Sequence, residues 1–323
     1  MRAVHVTEPI GPRGIRIVDV LEPTVDGAVV IDVHAAGVGW PDLLLSKGEY
    51  QVNPELPFVP GTELAGVIRS VPPGTGFFPG QRVAAVTAVG AWQEVFAAPP
   101  DSVVPLPEEL SLVDAAALLT NYLTVHFALT RRGNVQAGET VLVHGASGGV
   151  GEAGLRIAKA MGARAVGVVS TPAKAEYLKK LDLGETVLAD GFLEAVRRLT
   201  GGRGVDVVLD PVGGDRFVDS LRALAPEGRL LVVGFAGGSI PNVRVNRLLL
   251  NNLSVAGVGW GAMLSQSPVL LRDHWQDLTA LLSEGTLTLP TITSFGLADA
   301  ATVLLAMERR EILGKAVLRT GHG

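Results

Sequence analysis

In the segment VLVHGASGGVGEAGLRIAKAMGA, residues 141–163, a strand-like apolar run enters a cluster of glycines and leaves as an amphipathic helix. Glycines at 145, 148, 149 and 151 allow a tight turn, close approach of backbone to a pyrophosphate, and tight packing of helix on strand. The helix that follows presents unpaired N–H groups and the positive end of a dipole. A glycine cluster by itself constrains little, but its setting constrains a great deal. From Val141 onward the strand-like runs TVLVH, ARAVGVVS, ETVLA, VDVVLD, GRLLVVG and LSVAGV alternate with helical segments near 150–161, 172–181, 192–200, 214–224 and 243–250. Six strands with helices between them predict an α/β fold with a parallel, doubly wound sheet, and this turn inside such a sheet predicts a bound dinucleotide.

The N-terminal third follows a different grammar. RAVHV, IRIVDV, AVVIDVHAA, LAGVIRSV, QRVAAVT and WQEVFAA are short runs separated by turn signals such as EPIGPRG and PPGTGFFPG. Val29, Ile31, Val33 and Ala35 alternate with Val30, Asp32 and His34, the period of a half-buried strand. No helix of convincing length is expected before SLVDAAALLTNYLTVHFALTRR. After Trp260 the alternation loosens into helices near 273–283 and 297–309 and a last strand, GKAVLRT, expected to return to the first domain.

Composition removes several function classes. Of 323 residues, 47% are hydrophobic and 18% charged, which predicts a globular protein with two cores. No stretch reaches the roughly 18 uninterrupted apolar residues of a membrane span. The opening MRAVHVTEPIGPRG lacks the apolar core of a signal peptide, so a cytoplasmic location is expected. The absence of cysteine excludes disulfides, thiolate nucleophiles and Cys-ligated zinc. The net charge is −5 and the arginine pairs are scattered, which argues against a nucleic-acid partner.

The end of the second strand of the alternation selects the dinucleotide. An NAD site places an acidic residue there, on the ribose 2′-hydroxyl. This chain has Ser170 and Thr171 instead, followed by Pro172 and Lys174. Thr171 is suited to cap the next helix with Pro172 at its first position. Hydroxyls, free helix N–H groups and a lysine together suit a 2′-phosphate dianion, so NADPH is the expected cofactor.

With these residues in view, the chain resembles the medium-chain dehydrogenases/reductases, most closely the zinc-independent quinone oxidoreductase branch that includes zeta-crystallin. AAGVGWPDLLLSKGEY, PFVPGTELAGVI, GQRVAAV, NYLTVHFAL, VLVHGASGGVG, VDVVLDPVGG, GRLLVVGF and LLLNNLSVAGVGWG occur in the family's order over essentially the whole chain. The resemblance implies a β-rich GroES-like catalytic domain, 1–122 and 260–323, around a Rossmann NADP-binding domain, 123–259, with a six-stranded sheet. Zinc-dependent relatives carry a Gly-His-Glu motif, which here reads Gly61-Thr62-Glu63. His5, His34, His126, His144, His274 and His322 are dispersed, so no metal is expected. His144 reads as a packed, singly bonded histidine.

By position in the family's motifs, Gly148, Gly149 and Val150 are expected to face the pyrophosphate, and Ser170 and Lys174 the 2′-phosphate. Thr124, Gly234, Phe235 and Val258 are expected near the nicotinamide. Asp190 stands where some relatives place a tyrosine against the adenosine phosphate. On the substrate side, Trp40, Asp42 and Tyr50 are the candidate catalytic residues: Trp40 as a flat apolar wall, Tyr50 as a proton-donating hydroxyl, and Asp42 either in the site or as the cap of the next helix. Gly39 and Leu44 replace an Asn and a Tyr typical of quinone oxidoreductases.

The expected chemistry is hydride transfer from nicotinamide to an electron-poor acceptor, oriented in a dry cleft. A quinone is the leading acceptor, and the alternative is an enone or enoyl thioester reduced at its alkene. A third possibility is an NADPH-binding protein with little turnover. By analogy with the family a homodimer is expected, paired through NLSVAGV.

Overall fold

The computed structural model describes residues 1–321. They form two compact units. The first comprises 1–121, 267–275 and the segment from 289 onward; the second comprises 122–266 and 276–288. Relative to the expected domain boundaries, 260–266 and 276–288 lie with the second unit.

The first unit opens with β1 (Arg2–Val6), β2 (Ile15–Asp19) and β3 (Val29–Val38), followed by α1 (Trp40–Ser46), β4 (Glu63–Ser70), β5 (Arg82–Val86), β6 (Val95–Ala98) and β7 (Val103–Pro105). Helix α2 (Leu112–His126) then crosses the boundary between the units. In β3 the alternation holds: Val29, Ile31, Val33 and Ala35 are fully buried, while Val30, Asp32 and His34 are partly exposed. Helix α1 is the element that the length criterion passes over, having only seven residues. Helix α2 continues through a π-helical turn to Arg132, giving 21 residues long and apolar enough to cross a membrane. Its most apolar stretch is 72% buried inside the protein, the mark of a core helix.

The second unit carries β8 (Thr140–His144), α3 (Gly149–Ala160), β9 (Arg164–Val169), α4 (Pro172–Lys180), β10 (Glu185–Leu188), α5 (Phe192–Leu199) and β11 (Val205–Asp210). It continues through α6 (Phe217–Ala223), β12 (Leu224–Val232), α7 (Asn246–Leu250), β13 (Ser254–Gly257) and α8 (Trp260–Gln266). After α9 (Val269–Ser283), the strand β14 (Ile292–Gly296), helix α10 (Ala300–Glu308) and strand β15 (Lys315–Arg319) belong to the first unit. There β15 pairs antiparallel with β3, so the chain's last strand joins the first domain's sheet, as expected.

The first unit's main sheet runs β14-β15-β3-β4-β5-β7, with β6 also paired to β3. The second unit's six strands are all parallel in the order β10-β9-β8-β11-β12-β13. This is the Rossmann order, and it reverses between β8 and β11. Strand β8 is buried at every position, which is why its sequence is a nearly unbroken apolar run. Ligands of such sheets sit beyond the carboxyl ends of the strands at that reversal. His144 ends β8 and Asp210 ends β11, so the loops that follow them frame the candidate site.

Candidate cofactor and substrate sites

The glycine loop is shaped by close contacts within itself. Gly145 takes φ +59°, and its carbonyl accepts the Gly148 N–H at 3.0 Å. Gly148 is the extended cap residue of α3, with φ −95°. A Cβ on Gly151 would lie 2.1 Å from the Gly145 carbonyl oxygen, a distance only hydrogen at that position avoids. A Cβ on Gly154 would lie 2.7 Å from Leu209 and 3.0 Å from Val143, so helix α3 rests directly on β8 and β11. Gly148 differs, because a Cβ there would meet only the Gly145 oxygen at 3.5 Å, an ordinary contact. The protein itself leaves room at Gly148, beside a helix N-terminus whose N–H groups suit an anion.

Asp210 organises the facing loop, a role the sequence reading missed although DPVGG carries its signal. Its Oδ1 accepts the N–H groups of Val212 at 2.8 Å and Gly213 at 2.9 Å, so the side chain imitates a backbone turn. A Cβ on Gly145 would approach Val212 at 3.2 Å, so the two loops lie against each other. His144 is fully buried, with Nε2 and the Ser220 hydroxyl 2.8 Å apart, while Nδ1 has no hydrogen-bond partner among the described residues. Since Ser220 donates to the Arg216 carbonyl, its oxygen is the acceptor and Nε2 carries the proton. Burial holds the His144 pKa below its ordinary value, with Asp210 opposing. It is packed and singly bonded, as the sequence predicts.

At the end of β9, the Thr171 hydroxyl accepts the Lys174 N–H at 3.3 Å and caps α4, with Pro172 at its start. Ser170 is exposed and Lys174 half-buried in the first turn of that helix. Asp190 is exposed beyond the end of β10. Gly149 and Val150 form the first turn of α3. Thr124 is half-buried on α2. Gly234 and Phe235 follow β12, and the Phe235 ring sits where a Cβ on Gly213 would strike it at 2.8 Å. Val258 is buried past β13, its N–H bonded to the Val232 carbonyl at 2.9 Å. Thr124, Gly234, Phe235 and Val258 thus all belong to the unit that holds the glycine loop. The loop fits a dinucleotide: a cradle that a Cβ at Gly148 would fill opens next to free helix N–H groups.

The first unit holds the substrate-side candidates. Asp42 is fully buried, with Oδ2 accepting the Gly39 N–H at 2.7 Å and Oδ1 the Gly61 N–H at 3.1 Å. Burial raises its pKa to about 7 against those bonds and the charge of Lys315. Its carboxylate therefore ties the start of α1 to the loop before β4. Trp40, the first residue of α1, packs partly buried against the core. Tyr50 is half-buried, its hydroxyl has no hydrogen-bond partner among the described residues, and burial and Asp42 raise its pKa.

Glu63 was legible in the sequence only as part of Gly61-Thr62-Glu63. It is buried and paired with Lys315, and its second oxygen accepts the Thr120 N–H at 2.7 Å. The positive φ of Gly61 (+101°) brings its α-carbon against Trp92, and a Cβ there would lie 2.3 Å from the indole. This donor set does not fit zinc. Thr62 replaces histidine, no cysteine exists, and Glu63 is closed off by its partners. Among the described residues no group of three or more His, Asp or Glu side chains is arranged to hold a metal, and His322 lies outside them.

Known proteins match both units. Residues 25–108 match the alcohol dehydrogenase GroES-like domain and residues 149–284 the zinc-binding dehydrogenase domain. The quinone oxidoreductase-like protein 2 homolog of Nematostella vectensis is 35% identical over 90% of this chain and 81% of its own length. Escherichia coli quinone oxidoreductase complexed with NADPH superposes with a TM-score of 0.91 at 27% identity, covering 99% of this chain and 100% of that one. The CurK enoyl reductase superposes with a TM-score of 0.88 at 25% identity, covering 99% of each chain. The fold and the paired loops define a medium-chain dehydrogenase/reductase, an oxidoreductase. Within that class the chain belongs to the quinone oxidoreductase family.

Proposed function

We propose that this protein is an NADPH-dependent reductase that passes hydride to a quinone without a metal. The observation that carries the reading is the opening at Gly148, left free by the protein beside the N–H groups of α3. NADPH, when bound, supplies the hydride. Gly149 and Val150 would hold its pyrophosphate through backbone N–H groups beside the space left at Gly148, whose own N–H is bonded to Gly145, and Ser170 and Lys174 would hold the 2′-phosphate. Thr124, Gly234, Phe235 and Val258 border the nicotinamide. The presence of NADPH in the E. coli relative supports this assignment.

On the substrate side, Trp40 supplies an apolar wall for a flat acceptor. Tyr50 holds a proton at its hydroxyl, and its raised pKa keeps that proton in place at neutral pH. Asp42, with both oxygens occupied by N–H groups, positions the turn that carries Trp40. The unsuitability of Thr62 and Glu63 as zinc ligands supports metal-free chemistry.

A second reading, reduction of an enone or enoyl thioester, is favoured by Gly39 and Leu44 and by the likeness to an enoyl reductase. Loss of NADPH absorbance with an ortho-quinone, a 2-alkenal and an enoyl thioester separates the two. Turnover of the quinone is expected; turnover restricted to the other two acceptors would replace the first reading by the second. Binding of NADPH without oxidation by any acceptor would point to a binding protein.

The edge strand β13 is the proposed homodimer seam. Among the described residues it pairs with β12 alone, and Val255 on it is 38% exposed. A monomer in sedimentation would remove that assignment.

A further inference from the structure

Helix α3 buries a charged cluster with a link to α4 that bears on cofactor choice. Glu152 lies in its first turn and is 1% exposed. Arg156, one turn later, donates to Glu152 Oε1 from Nε at 2.9 Å and from Nη2 at 2.7 Å. The third Arg156 nitrogen donates to the Thr288 hydroxyl. This leaves Glu152 Oε2, which accepts the Tyr177 hydroxyl proton at 2.6 Å.

A buried ion pair is often matched or surpassed in stability by apolar side chains of the same volume, so its presence calls for a positional explanation. Both charges sit on α3 and cancel there, which spares the phosphate end of the helix from a bare carboxylate. Besides the bond to Thr288, a bond leaves α3 for α4. Tyr177 follows Lys174 by three residues and therefore lies on the same side of α4. The Glu152–Tyr177 bond thus joins the helix that opens at the glycine loop to the helix face that bears Lys174.

We propose that Glu152 and Tyr177 are positioning residues for cofactor specificity. Their bond fixes the span between the pyrophosphate loop and Lys174 at the length NADPH requires, and NADH does not depend on that span. The two bonds from Arg156 to Glu152 Oε1 aim Oε2 at Tyr177. This inference rests on the NADPH reading above.

The test measures the dissociation constants of NADPH and NADH by calorimetry for the wild type, Tyr177→Phe, Lys174→Ala and the double variant. Tyr177 is only partly buried and Phe conserves its ring, so the fold is expected to survive, and a thermal melt of each variant checks that it does. Removing one hydrogen bond to a charged group is expected to weaken NADPH about three- to tenfold in Tyr177→Phe. NADH should change by less than about twofold. In the Lys174→Ala background the further loss from Tyr177→Phe should disappear, since the two act as one unit. Equal weakening of both nucleotides, or losses from Tyr177→Phe and Lys174→Ala that simply multiply, would overturn the inference while leaving the NADPH reading intact. A wild-type protein that binds neither nucleotide would overturn both.

Discussion

Two glycines in one loop should respond oppositely to alanine. At Gly151 the added Cβ would lie 2.1 Å from the Gly145 carbonyl oxygen and 2.6 Å from the Ala146 α-carbon. Neither is the end of a flexible side chain, so the loop must open. Forced overpacking costs about 1–3 kcal/mol, and the Gly145–Gly148 bond that the shift breaks adds about 1 kcal/mol. At roughly 2–4 °C per kcal/mol, Gly151→Ala should melt about 5–15 °C lower.

At Gly148 the nearest atom is 3.5 Å away and φ is −95°, so alanine fits the protein without strain. Stability should change by no more than about 1 kcal/mol. The methyl group would instead enter the space assigned to the pyrophosphate, and NADPH affinity should fall at least about tenfold, or about 1.4 kcal/mol. Circular-dichroism melting and calorimetry read the two effects separately. Wild-type NADPH affinity in Gly148→Ala would refute the assignment of that space. An unchanged melting point in Gly151→Ala would refute the account of the loop's packing.

Three further outcomes follow from single side chains. Lys174→Ala should weaken NADPH much more than NADH in calorimetric titration; equal effects would show that Lys174 does not meet the 2′-phosphate. Asp42 holds a proton in the folded protein up to pH about 7 that the unfolded chain releases near 3.8. Its contribution to stability therefore declines as pH rises across that window, by up to about 4 kcal/mol, and urea midpoints of wild type relative to Asp42→Asn should fall accordingly between pH 5 and pH 8. The Tyr122 hydroxyl is buried with no hydrogen-bond partner among the described residues, so Tyr122→Phe should raise unfolding free energy by about 1–2 kcal/mol in urea titration.

Periodicity made most of the fold legible. The alternation of β3, the unbroken apolar run of β8 and the strand–glycine–helix passage each state their environment in adjacent residues. Helix α1 did not, because its start is fixed by Asp42 bonding to Gly39 and, across the chain, to Gly61. Lys315 reaches Glu63 from 252 residues away, and Tyr177 reaches Glu152 between two helices. Such pairs leave no spacing to read. Asp210 was accessible from DPVGG as a side chain that bonds its own turn, but that run also reads as an ordinary loop. On the substrate side, Trp40, Asp42 and Tyr50 were candidates by residue type and by their place in the motif resembling the family's. Only the geometry showed that the Asp42 oxygens are already occupied.

Calorimetric titration of the purified wild-type protein with NADPH and then with NADH bears most directly on the claim that α3 receives a pyrophosphate at its N-terminus. Saturable sub-millimolar binding is expected, tighter for NADPH. Absence of saturable heat with both nucleotides would contradict it.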